Sequence, residues 1–226
     1  MVTTKQKPGK QGAKQPPPPT AGARVQRWLK RHRSWFWTLG VVGALAAAIV
    51  YFADPFSTDT AVDASGNKVE TGVIKVDGAA PRERRPAPDF VLADYDGKAV
   101  KLSDFHGKTV MLNFFASWCT TCEAEMPDMD RLAKENPDDF VVLGVNQKES
   151  KSTARNFTNA LGLKYFKYAL DTNEDVTNAY KLPSGLPHTF LIDKDGIVRV
   201  VKHGGMRYDE MKLLLAETRQ AAGKAN

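Results

Sequence analysis

Apolar and polar positions divide the chain into four stretches. Residues 1–33 show no helical or strand periodicity. They are rich in Pro, Gly, Lys and Gln, with four consecutive prolines at 16–19, and lack the apolar side chains that build a core. Residues 34–53 carry no charged side chain. Residues 54–85 are mixed and polar, with a turn at 63–67 and one short strand at 71–76, and read as a linker. From residue 86 to 222 the pattern becomes dense. Segments 89–92 and 99–102 flank a turn at 94–97, a hairpin signal. Residues 110–115 are an apolar run with little alternation, as in a strand buried on both faces. A helix follows at 119–136, stopped by Pro137, with Met126, Met129 and Leu132 recurring at helical spacing. A second buried strand is expected at 140–145, helices at 152–161 and 173–180, and an extended segment at 165–170. Strands at 188–192 and 197–201 share the turn 193–196, and a helix at 208–220 closes the chain. Parallel crossovers first and an antiparallel hairpin last predict an α/β domain: a mixed central sheet flanked by helices, with an N-terminal hairpin extension.

Charge changes the picture at the N-terminus. Residues 1–53 contain nine Lys or Arg and no Asp or Glu, leaving 23 basic against 26 acidic residues in the remainder. The net charge of +6 therefore belongs to the tail, and nothing in the mildly acidic remainder suggests a nucleic-acid partner. The uncharged stretch 34–53 is long enough to cross roughly 30 Å of bilayer core. Trp35, Trp37, Tyr51 and Phe52 mark its two ends, as interfacial aromatics do. It is long for a signal peptide, and no Ala-x-Ala cleavage site follows it. The expectation is a single transmembrane signal-anchor in the cytoplasmic membrane. The basic tail 1–33 then stays inside and the domain faces the extracytoplasmic side.

Chemistry concentrates at Cys119 and Cys122, the only cysteines in the chain. They sit where the apolar strand gives way to the helix. Cys-x-x-Cys on a first helical turn brings the two sulfurs within bonding distance. Free N–H groups and the helix dipole favour a thiolate at Cys119. Cys122, one turn in, can resolve a mixed disulfide made by Cys119. Two structural cysteines that merely lie close and half of a zinc site are the competing readings; the strand-then-helix context supports a redox pair over the first, and no second Cys-x-x-Cys or paired-His motif supplies the remaining ligands for the second.

Trp118-Cys119-x-x-Cys122 with the strand before it, and Gly185-Leu186-Pro187 ahead of Thr189-Phe190-Leu191-Ile192, resemble a thioredoxin fold. The longer pattern resembles the TlpA/ResA-like branch of membrane-anchored thiol-disulfide oxidoreductases. Ala87-Pro88-Asp89-Phe90, the run from Leu112 to Cys119, Glu125-Met126-Pro127 and the run from Thr189 to Gly196 carry it. The resemblance implies a protein-disulfide reductase with a redox-active Cys119–Cys122 disulfide and no other cofactor. Its implied partners are a protein disulfide, foremost apocytochrome c during cytochrome c maturation, and a membrane electron donor of the thiol-transfer type. It also implies that Pro187 is a cis-proline facing the cysteines, where the backbone of Leu186 pairs with an extended substrate strand. Trp118 would shield the cysteines and offer substrate an apolar surface, or simply pack. Asn113 stands where ordinary thioredoxins carry a buried acid. Glu125, three residues after Cys122, matches the glutamate this branch uses instead, and burial would raise its pKa.

Two departures from the pattern stand out. His188 replaces the more usual Ser or Thr after the proline. It is expected near the cysteines if Pro187 faces them, on a substrate-facing loop. Thr120-Thr121 lacks the common Pro before the second cysteine, which leaves the reduction potential open. His106 and His203 have no motif context and read as surface residues. Two other functions use the same residues: a disulfide oxidant, and a copper-binding assembly module with Cys119, Cys122 and His188 as ligands.

Overall fold

The computed structural model describes residues 60–75 and 81–224. The basic tail at 1–33 and the anchor at 34–53 lie outside the described residues. Among the described residues, no helix is long and apolar enough to cross a membrane.

Ten strands are described: β1 Thr60–Val62, β2 Lys68–Glu70, β3 Gly72–Lys75, β4 Asp89–Ala93, β5 Ala99–Lys101, β6 Thr109–Phe115, β7 Phe140–Gln147, β8 Phe166–Asp171, β9 His188–Ile192 and β10 Val198–His203. Four α-helices accompany them, α1 Thr120–Glu135, α2 Lys151–Ala160, α3 Asp175–Ala179 and α4 Tyr208–Gly223, with a 3-10 helix at Leu102–Phe105. A main sheet runs in the order β10-β9-β6-β7-β8-β4-β3, with β5 on β4. Strands β6, β7 and β8 are parallel; β9 and β10 complete one side antiparallel. The expected mixed sheet with parallel crossovers and a final hairpin is therefore found.

The central strand β6 shows why the site sits where it does. All seven of its residues are buried, so its two faces serve two cores. Met111 and Phe115 join Met126, Met129 and Leu132 of α1, Leu191, and Met211 and Leu215 of α4. Val110, Leu112 and Phe114 face the other way, among Phe90, Tyr180, Phe190 and Ile192. Each fully buried Leu, Met or Phe contributes about 1.5–3 kcal/mol of transfer free energy. With β6 covered on both faces, its C-terminal end is held rigidly, and that end carries the cysteines.

Residues 60–75 hold more structure than the single short strand expected at 71–76. β1 and β2 pair antiparallel around a turn in which the Asp63 carboxylate accepts from the N–H groups of Ser65 and Asn67, both at 2.9 Å. Such Asx geometry closes a turn locally. β3 then pairs with β4 and extends the main sheet. Strands of three or four residues are too short to register as periodicity.

Candidate active site

At the end of β6 the chain leaves the sheet through Ala116, whose carbonyl accepts from Cys119 N–H at 3.1 Å. α1 begins at Thr120, so Cys119 is its N-cap rather than its first helical residue, and its Sγ accepts from Cys122 N–H at 3.1 Å. The two sulfurs form a disulfide across a Cα–Cα distance of 5.2 Å. Cys122 is fully buried, while Cys119 retains 5% exposure. That difference makes Cys119 the sulfur an incoming group meets. A helix N-terminus offers it N–H donors and a favourable dipole. Trp118, just before it, is 65% exposed. A large aromatic this open presents an apolar surface beside the disulfide and has no core role.

The turn into α1 is held from the side by a carboxylate. Glu149, in the β7–α2 connection, accepts from Ser117 N–H at 2.9 Å and from Ser117 Oγ at 2.5 Å. It also accepts from Asn146 Nδ2 at 2.8 Å. Sequence reasoning missed Glu149, because 32 residues separate it from Ser117.

Glu125 lies one turn after Cys122, on the face of α1 that packs on the sheet. It is buried at 3% exposure. Its Oε1 accepts from Asn113 Nδ2 at 3.2 Å and its Oε2 from Met206 N–H at 2.8 Å. Burial pushes its pKa up from 4.5 to about 7; the donors from Met206 and Asn113 pull the other way and only partly offset it. Asn113 also donates to Thr189 Oγ1 at 3.0 Å. A buried carboxyl that titrates near neutrality, within one helical turn of a buried cysteine, can take up or release that cysteine's proton.

The Leu186–Pro187 peptide is cis. Pro187 is buried, and its carbonyl accepts from Gly204 N–H at 2.9 Å. Among the described residues, no hydrogen bond engages the Leu186 backbone, which leaves it open to an extended chain.

His188 does not sit where the sequence suggested. It is buried at 3% exposure, inside β9 and off any exposed loop. Side chains alternate along a strand. Thr189 points to the Glu125 side, since its Oγ1 meets Asn113. His188 therefore points to the opposite face, where its Nε2 lies 3.0 Å from the Pro183 carbonyl. Its Nδ1 meets His203 Nδ1 at 2.8 Å. His203 is exposed, as expected, yet it belongs to this pair. Nothing local in the sequence links the two, since the β9–β10 register brings them together. The copper ligand set of Cys119, Cys122 and His188 is not assembled. Among the described residues, no three His, Cys, Asp or Glu cluster as a metal site would require.

Comparison with known proteins agrees with this geometry. The profile of the Redoxin family matches residues 82–214. Thiol-disulfide oxidoreductase ResA of Geobacillus thermodenitrificans is 42% identical over 127 residues, covering 56% of this chain and 72% of the relative. ResA of Bacillus subtilis is 41% identical over 137 residues, covering 58% and 75%. Among solved structures, the exposed lipoprotein thioredoxin of Streptococcus pneumoniae superposes with a TM-score of 0.52 at 36% identity, covering 57% of this chain and 98% of that one. The fold is thioredoxin-like.

Proposed function

Given that this chain belongs to the Redoxin family and is a thiol-disulfide oxidoreductase, we propose that it reduces specific protein disulfides on the extracytoplasmic side of the cytoplasmic membrane, held there by the anchor at 34–53. The observation that carries this reading is the disulfide at the N-cap of α1, with Cys122 wholly buried and Glu125 one turn behind it.

In the reduced protein, Cys119 thiolate attacks one sulfur of a substrate disulfide, and the other substrate sulfur leaves as a thiolate. Cys122 then attacks Cys119 Sγ within the mixed disulfide. Its thiol proton passes to Glu125, the substrate's second thiolate departs, and the Cys119–Cys122 disulfide closes. An extended substrate segment pairs with the open backbone of Leu186 beside Pro187, and Trp118 covers the exchange. A membrane dithiol donor returns the two electrons. Apocytochrome c is the leading substrate, because Glu125-Met126-Pro127, the run from Leu112 to Cys119 and the run from Thr189 to Gly196 resemble the TlpA/ResA-like branch.

Redox titration of the full-length chain against a dithiol–disulfide buffer tests the direction. The reductant reading expects a potential in the thioredoxin range, roughly −270 mV. A value near the roughly −120 mV of a dedicated oxidant would reverse the assignment.

A further inference from the structure

Four consecutive residues, the last of β10 and the three that follow it, reach the Pro187 loop, the first turn of α1 and Glu125. His203 meets His188. Gly204 N–H donates to the Pro187 carbonyl. A Cβ built on Gly205 would lie 2.5 Å from Thr121 Cγ2, between the two cysteines, and 3.5 Å from Glu125 Oε2. Met206 N–H donates to Glu125. The loop that carries Leu186 and Pro187 is thus fastened to this strap at two points. One is the Gly204–Pro187 bond at the end of the loop. The other starts at the Pro183 carbonyl and runs through the His188 ring to His203.

The proton positions in that second tie follow from chemistry. A carbonyl oxygen only accepts, so His188 Nε2 carries hydrogen and donates to Pro183. A neutral His188 then has a bare Nδ1, which accepts from His203 Nδ1–H. Burial keeps the His188 imidazole toward its neutral form, which this arrangement requires. The rings stand at 83° with centroids 4.8 Å apart, an edge-on approach that aims one nitrogen at the other.

We infer that the His188–His203 pair is a positioning device for protein-substrate docking: it fastens the Pro183–Pro187 loop to the strap that also holds Glu125, and so fixes where the open backbone of Leu186 is presented. His203 is a positioning residue that acts through His188 and touches neither the cysteines nor substrate. A small disulfide that reaches Cys119 directly has no need of the loop. The inference rests on the reading that protein disulfides dock at Leu186–Pro187.

The test compares two substrates of the full-length chain with dithiothreitol as reductant: insulin, as a protein disulfide, and a small aromatic disulfide. His203→Ala removes the donor to His188. Its KM for insulin is expected to rise about fivefold, the worth of one hydrogen bond, with kcat and the small-disulfide rate held within about twofold. His203→Asn places an amide N–H where the imidazole Nδ1–H lies and should restore KM to within about twofold of the starting protein. An unchanged KM in His203→Ala, or a parallel fall of both substrate rates, overturns the inference. Pro187→Ala separates the two levels. If it raises the insulin KM while His203→Ala does not, the imidazole pair has no docking role. If neither changes KM, docking at Leu186–Pro187 itself is wrong.

Discussion

Replacing Glu125 by Gln should make the oxidised protein more stable in mild alkali and leave it nearly unchanged in acid. Burial raises the folded-state pKa of Glu125 from 4.5 to about 7. The folded protein therefore holds this proton more tightly than the unfolded chain does. Between those two values the folded state binds more protons, so stability falls as pH rises through the window, and the full cost of the buried carboxylate is present above it. At 1.36 kcal/mol per pKa unit, the cost is about 3 kcal/mol. Gln has the same shape and no charge. Its carbonyl can accept from Met206 N–H. Its amide would face Asn113 Nδ2, the donor that now meets Glu125 Oε1, so the Asn113 amide must turn over to present Oδ1, an oxygen without a hydrogen-bond partner, to both the Gln amide and the Thr189 hydroxyl. The variant should thus gain up to about 3 kcal/mol over the parent at pH 8 and close to nothing at pH 4.5. Urea denaturation of both disulfide-bonded proteins at the two pH values reads the difference, with equal m values as the check on two-state behaviour. Every other titrating group is common to both proteins and cancels. A gain independent of pH, or a Gln variant less stable at pH 8, would refute the assignment of a neutral-range proton to Glu125.

Two further substitutions probe the frame of the site. Gly205→Ala brings a methyl to 2.5 Å from Thr121 Cγ2 and should destabilise by about 1–3 kcal/mol; Thr121→Ser in the same chain removes that methyl and should recover most of the loss in a thermal or urea melt. Glu149→Ala deprives Ser117 and Asn146 of their shared acceptor and should cost about 1–3 kcal/mol, and Glu149→Gln, which keeps one acceptor oxygen, should cost less in the same melt.

What the sequence reveals of this site depends on how local each relation is. Cys119 caps the helix that carries Cys122 and Glu125, and their spacing alone places them within successive turns. β6 is legible because its burial on both faces removes polar positions and leaves an unbroken apolar run. Pro187 is visible through its motif. His188 shows where the motif stops being informative: it gives the neighbourhood, while the pleat of β9 turns Thr189 toward Glu125 and His188 away. Met206 lies 81 residues from Glu125, and only the path of β10 into α4 brings its N–H there. The β1–β2 hairpin rests on the side chain of one aspartate, Asp63, and its three-residue strands carry no readable period.

In the proposed cycle Cys119 attacks protein disulfides and Cys122 resolves the product. Cys122→Ser leaves the first step intact and removes the second. Expressed as the full-length chain, this variant should accumulate a mixed disulfide with a partner protein, visible as a reducible adduct and joined through Cys119. Under the same conditions Cys119→Ser should form none. Identification of the joined protein names the substrate, and a c-type cytochrome precursor is the expected one. No adduct with Cys122→Ser, or equal adducts with Cys119→Ser, would rule out attack by Cys119 and resolution by Cys122.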